Sequence, residues 1–211
     1  MKFSTKFAAS LLALSTTFAV GCGDSETADA LPLDADAAMT DGDDAADASS
    51  SEAPAGSIAL TPSNTTIQFV GNHTGEDKKP RTCKFGALDG SIAGEGELAG
   101  LMVEIKTDSL ETEFDDLTSH LKNADFFDVK RYPTAKFVAT SIVPGDDGEV
   151  SITGDLTLLG QTHSLTFPAK FSPDADPMLT ASFEIDRTQW GMNYGPDKIE
   201  KMVEMTITVN K

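Results

Sequence analysis

From Met102 to the C-terminus, apolar residues recur at every second position, and that period decides the class of fold before any motif is read. Val103, Ile105 and Thr107 alternate with Met102, Glu104 and Lys106. Val150, Ile152, Gly154, Leu156 and Leu158 share one side of a run, as do Leu165, Phe167, Ala169 and Phe171. Leu179, Ala181, Phe183 and Ile185 form another set, and Val203, Met205, Ile207 and Val209 a last one. Successive residues of a strand point to opposite faces. Each run therefore buries one face and wets the other, the mark of antiparallel sheet solvated on one side. Turn-forming clusters separate the runs at Gly94–Glu97, Pro144–Gly148 and Gly160–Thr162. With Thr66–Asn72 and Thr82–Ala93 added, roughly eight strands are predicted, enough to close a barrel or sandwich and remove exposed edges. Gly94, Gly96 and Gly100 do not match a dinucleotide fingerprint, which needs a helix opening there; they predict a bent hairpin.

One helix interrupts the strands, predicted over about residues 110–123. Glu111, Glu113, Asp115 and Asp116 crowd its first turns, where the helix dipole favours negative charge. Leu110, Phe114, Leu117 and Leu121 fall at spacings of four, three and four, one apolar stripe. Phe126 and Phe127 follow it. Adjacent residues diverge by ~100° on a helix, so the two rings cannot share a helix face. Pro133 stops any helix there. Ser119–Phe137 therefore reads as a helix end, a structured connection that plants two rings on apolar surface, and the start of a strand.

The N-terminus reads as a targeting segment over residues 1–21. Lys2 and Lys6 supply a basic start, and Phe7 to Val20 a mostly apolar stretch too short to span a bilayer. Ala19-Val20-Gly21-Cys22 resembles a lipobox, which makes Cys22 the lipidated first residue of the mature chain. Ala19 and Gly21 also satisfy ordinary signal cleavage at the same bond. Residues 22–56 hold ten acidic residues and no lysine, arginine or aromatic. Such a segment cannot bury enough apolar area to offset its ordering entropy and reads as an extended, disordered acidic linker. Asp41-Gly42-Asp43-Asp44 lacks the ligand spacing of an EF-hand. The remainder, 57–211, is long enough for one core. A formal net charge of −18 argues against a nucleic-acid partner. The sequence is compatible with a homodimer.

Catalytic constellations are weak. His73, His120 and His163 are scattered without metal-ligand spacing, and no nucleophile elbow or phosphate loop is present. Cys83 reads by default as a buried, inert thiol, with Arg81 and Lys84 nearby leaving a reactive thiol as the alternative, and His163 reads as a solvated turn residue. No metal, no cofactor and no catalytic residue is expected.

The segment from His120 through Asp125-Phe126-Phe127-Asp128 and Tyr132-Pro133 to Phe137 resembles the signature of the YceI-like family of bacterial polyisoprenoid-binding proteins. Ile67-Gln68-Phe69 with His73 is similar to the family's first strand. Thr153–Leu158 with Gly160-Gln161-Thr162 is similar to its central hairpin, and Phe183–Gly191 to its late arginine-containing strand end. The chain departs from the pattern after His73, where Gly75–Cys83 replaces a shorter, more apolar link. The resemblance implies an all-β, eight-stranded, lipocalin-like antiparallel barrel with the one helix, holding a long-chain isoprenoid or quinone-like lipid. It implies a non-catalytic carrier or store outside the cytoplasm, here anchored to the membrane on the periplasmic side through Cys22, or soluble if Cys22 is unmodified. A prenyl chain offers only apolar surface, worth ~25 cal/mol per Å² when buried, so an apolar tube suffices to bind it. The candidate wall residues are Phe69, Phe85, Val103, Ile105, Phe114, Leu117, Leu121, Phe126, Phe127, Phe137, Leu156, Leu158 and Phe183. Singly each reads as core, and only the set argues for a cavity. His73, His120 and Arg187 are candidates for a polar end; His120 could equally satisfy a helix end and Arg187 pair with Asp186. The rival reading is a structural or interaction lipoprotein whose barrel is filled and holds no ligand.

Overall fold

The computed structural model describes residues 57–75, 79–94 and 96–211. The signal segment, Cys22 and the acidic linker lie outside the described residues. The chain forms β1 (Ser57–Leu60), β2 (Thr65–Gly71), β3 (Arg81–Phe85), β4 (Leu88–Ala93), β5 (Gly100–Lys106) and β6 (Leu110–Thr112). The helix α1 (Asp115–Leu121) follows, then β7 (Thr134–Pro144), β8 (Glu149–Leu158), β9 (Gln161–Phe171), β10 (Leu179–Asp186) and β11 (Met202–Val209). All pair antiparallel in one sheet of order β1-β4-β5-β7-β8-β9-β10-β11-β2-β3-β6.

That order forces the sheet to roll. β1 and β2 stand eight places apart, roughly 38 Å across a flat sheet. Only five residue steps separate Leu60 from Thr65, a reach of about 18 Å at most. The corner is tied by Thr65 N–H donating to Thr61 O at 2.9 Å and Asn64 Nδ2 donating to Ala59 O at 2.9 Å. Beyond β2 the sheet continues into β3 and β6, so its ends are the edge strands β1 and β6 and no ladder joins them.

Three expectations are corrected here. The sheet does not close into a barrel that removes its edges, because no ladder joins β1 to β6. The sheet has eleven strands, not eight. The apparent single run 82–93 is two strands broken at Gly86-Ala87, and β1 and β6 are short edge pieces with too few residues to show a period. The helix is Asp115–Leu121, not 110–123. Leu110–Thr112 instead pairs with Cys83–Phe85 as an edge strand, and Leu110 is fully buried there. Phe114 then sits in extended backbone just before the helix and is 49% exposed.

On β5, β8, β10 and β11 the inward positions are those the period marked, and β2 adds its own inward set. Thr65, Ile67 and Phe69 of β2, Val103 of β5, Val150 and Ile152 of β8, Leu179 and Ala181 of β10, and Val203 and Val209 of β11 are all buried. The β8–β9 hairpin turns on Leu159 and Gly160, both with positive φ (51° and 70°), the pair of left-handed residues a type I′ turn requires. Gly154 permits the ring of Phe137 to lie against the sheet: a Cβ there would stand 2.4 Å from Phe137 Cζ. Gly94 and Gly96, with positive φ, make the β4–β5 hairpin.

Candidate functional site

The rolled sheet leaves two cavities along its inner face. The first has an empty volume of about 680 Å³, part of it open to solvent. Its wall comes from β1, β2, β5 and β7 to β11, and apart from Thr65 every lining residue is apolar. Phe137, Phe167 and Phe183 form a ring ladder in it, with centroids 5.5 Å and 4.2 Å apart, the second pair stacked. Eight of its lining residues, Leu101, Ile105, Leu156, Leu165, Phe183, Ile185, Met205 and Ile207, point inward yet are only half-buried. They pack against the buried core on one side and keep part of their surface open to the cavity on the other.

The second cavity is roomier, about 980 Å³ on the same measure. It lies next to the first along the same strands, with no lining residue in common. Ile67 gives way to Phe69 on β2, Met205 to Val203 on β11, and Ile185 to Arg187 after β10. From Thr65 to Gly71 this path follows β2 for roughly 20 Å.

The Phe126–Phe127 segment roofs the second cavity. After Leu121 the chain unwinds: Phe127 N–H donates to Leu121 O, and Asp128 N–H to Asn123 O, with Asp128 left-handed at φ 42°. The two rings diverge as adjacent side chains must. Phe127 meets Phe69 and Phe85, at 5.8 and 5.7 Å between centroids. Phe126 meets His120 and Tyr194, each at 5.2 Å, and His120 and Tyr194 stand 5.1 Å apart. Thr107 fixes the far end of the segment by donating its hydroxyl to Tyr132 O at 2.7 Å.

Arg187 closes the other side. It is 4% exposed, and its Nε donates to Glu200 O at 3.1 Å. One Nη donates to Met192 O, the other to Tyr194 O at 3.0 Å and Ile199 O at 3.3 Å. One guanidinium thus gathers the loop between Gly191 and Lys201 by its carbonyls. Burial pushes its pKa down, and the nearby Asp186 charge opposes that. Asp186 does not pair with it directly. Asp186 accepts from the Thr188 hydroxyl and N–H, and Lys201 Nζ lies 3.4 Å away. These contacts, the Thr188 hydroxyl foremost, hold the Asp186 carboxyl below its ordinary value.

Residues 59–210 match the YceI-like domain family, well over half of the chain. The chain belongs to the YceI-like family. A UPF0312 protein of Pseudomonas putida is 33% identical over 135 residues, covering 59% of this chain and 70% of the relative. One from Pseudomonas syringae pv. tomato is 38% identical over 123 residues, covering 55% and 64%. Among solved structures, BcnA of Burkholderia cenocepacia aligns with a TM-score of 0.63 at 18% identity, covering 71% of this chain and 98% of that one. A polyisoprenoid-binding domain from Saccharophagus degradans, implicated in plant cell wall breakdown, aligns with a TM-score of 0.54 at 14% identity, covering 74% and 99%. At such identities these two share the fold with the YceI-like chain.

The candidate wall residues divide between the cavities of this YceI-like sheet. Val103, Ile105, Phe137, Leu156 and Phe183 line the first. Phe69, Leu117, Leu121, Phe126 and Phe127 line the second, and His73, His120 and Arg187 join them there. Phe85 and Leu158 are buried but line neither, and Phe114 lies outside under the Arg81 guanidinium, 5.0 Å from its ring centroid. His120 Nε2 is 3.4 Å from Asp125 Oδ2. Cys83 borders the second cavity but is 2% exposed, and burial pushes its thiol up to about 12. His163 is exposed, its ring edge-on to buried Trp190. Among the described residues no cluster of His, Cys, Asp or Glu has metal-site geometry.

Sequence reasoning missed two groups. Leu165, Ile185, Met205 and Ile207 already sat on the marked faces, so the period could have placed them on the wall. Tyr194, Lys198 and Ile199 sit in an aperiodic loop whose position depends on Arg187, and no local signal announces them.

Proposed function

We propose that this YceI-like protein binds a long-chain isoprenoid, namely a polyprenol, polyprenyl phosphate or quinone-like lipid, along the two cavities read as one track, and carries or stores it without catalysis. The observation that carries this is the set of inward apolar side chains left half-buried around a wall without charge. An apolar chain laid there removes them from water at ~25 cal/mol per Å². The polyisoprenoid-binding domain that shares the fold supports the same ligand class. We further propose that the protein works outside the cytoplasm, tethered by lipidated Cys22 and its acidic linker, so that the domain can reach a membrane.

Mass spectrometry of full-length protein from a bacterial host reads both parts. A co-purifying isoprenoid and a lipid-modified Cys22 are expected. Leu165→Trp should fill the first cavity, leave the circular dichroism spectrum unchanged, and lower prenyl-lipid affinity by roughly tenfold or more. Protein that carries no isoprenoid and binds none on titration overturns the lipid reading; an unmodified Cys22 overturns the anchor alone.

A further inference from the structure

The second cavity carries a charge pattern opposite to that of its chain. The chain has a formal net charge of −18. Yet Arg81, Arg187 and Lys198 line this cavity with His73 and His120, and no aspartate or glutamate does among the described residues. The acid beside His120 is Asp125, which lies outside the lining. Asp186 is committed to Thr188 and Lys201. Arg187 is buried among backbone carbonyls, with no carboxylate paired to it among the described residues. Its hydrogen bonds all go to neutral carbonyls, and the adjacent Asp186, itself shared with Thr188 and Lys201, offsets its charge only through space. The first cavity, by contrast, has no charged lining residue.

We infer that the second cavity selects a phosphate headgroup, so that the ligand is a polyprenyl phosphate rather than a polyprenol or a quinone. This rests on the proposal that the first cavity holds the prenyl chain. An alcohol or quinone carbonyl offers acceptors but no charge, whereas a phosphate carries about −1.5 to −2 and three acceptor oxygens. Arg81 lines the cavity at the side where its guanidinium lies over Phe114, within a side-chain swing of a headgroup at the rim, and exposed Lys198 supplies an ammonium. Arg187 lies deeper. At least four hydrogen bonds tie it to carbonyls, so it acts through its field rather than as the main donor.

The test uses two probes of equal chain length, geranylgeraniol and geranylgeranyl monophosphate. They are titrated into wild type and into an R81Q/K198Q double variant at low and high salt, with circular dichroism to verify folding. Wild type should bind the phosphate about tenfold or more tightly than the alcohol at low salt. The preference should shrink in the double variant and with salt. Equal affinity for the two probes in wild type overturns headgroup selection and leaves the prenyl-chain reading standing. An unchanged preference in the double variant overturns the assignment to this rim. Binding of neither probe overturns the prenyl-chain reading and this inference with it. Inorganic phosphate that competes as well as the prenyl phosphate overturns the lipid source of the anion.

Discussion

Cys83 and the paired phenylalanines show how far single residues can be read. Cys83 faces inward from β3 and donates weakly to Arg81 O at 3.7 Å. With a folded pKa of about 12 against an ordinary 9.0, the thiol keeps its proton over a range where the unfolded chain gives one up. Its contribution to stability is therefore complete below pH 9 and is lost as pH rises through about 12. Cys83→Ala should flatten the fall of unfolding free energy between pH 9 and 12 relative to wild type, measured by urea titration at fixed pH; parallel curves would mean the thiol ionises freely in the fold. The burial of Cys83 was legible only as the default for a lone thiol, because its neighbours Arg81, Thr82 and Lys84 are polar or charged. The divergence of Phe126 and Phe127 was equally legible, because it follows from geometry between neighbours in sequence. What each ring meets was not. Tyr194 stands 68 positions from Phe126, and nothing local to either residue encodes their meeting.

At the scale of elements, the long strands were legible and the short ones were not. β8 through β11 alternate over 8 to 11 residues, enough repeats for a period to show. β6 has 3 residues, and the spacing of its Leu110 to Phe114 and Leu117 also fits a helix stripe. The pairing of Leu110 with Phe85 decides the matter, and it is a contact between distant segments. Turn chemistry was the more reliable local guide. Gly160 holds φ at 70°, and a Cβ there would stand 2.9 Å from Tyr132 Cε1. Gly160→Ala should therefore destabilise the domain by about 1–2 kcal/mol through the left-handed backbone alone, with any displacement of Tyr132 adding to it. Leu159→Asn, which suits the same turn, should cost less than Gly160→Ala or stabilise. Urea midpoints of the two variants check the pair, and an unaffected Gly160→Ala would show that the hairpin does not need its left-handed turn.

For the whole molecule, the interior ties stability to occupancy. An ordinary core seals its apolar side chains against one another, and the folded state then owes nothing to a guest. Here eight inward apolar residues keep part of their surface open, so an apolar chain bound as proposed would add hydrophobic stabilisation to the rolled sheet. The edges make the same point. With β1 and β6 unjoined, the roll is held by its ladders, by the β1–β2 corner and by packing across the interior, and a guest adds to the last of these. A ligand that binds only the folded state raises unfolding free energy by about 2.7 kcal/mol at a concentration 100 times its Kd. For a domain of this size that corresponds to a rise in midpoint of roughly 5–10 °C. Protein stripped of lipid by solvent should accordingly melt lower than protein as purified, and prenyl lipid added back should restore the difference in a concentration-dependent manner. Leu165→Trp should respond less to added lipid, because its indole already occupies the space. Stripped and loaded protein with the same midpoint, in a preparation shown by extraction to have lost its lipid, would mean that the inner wall gains nothing from a guest.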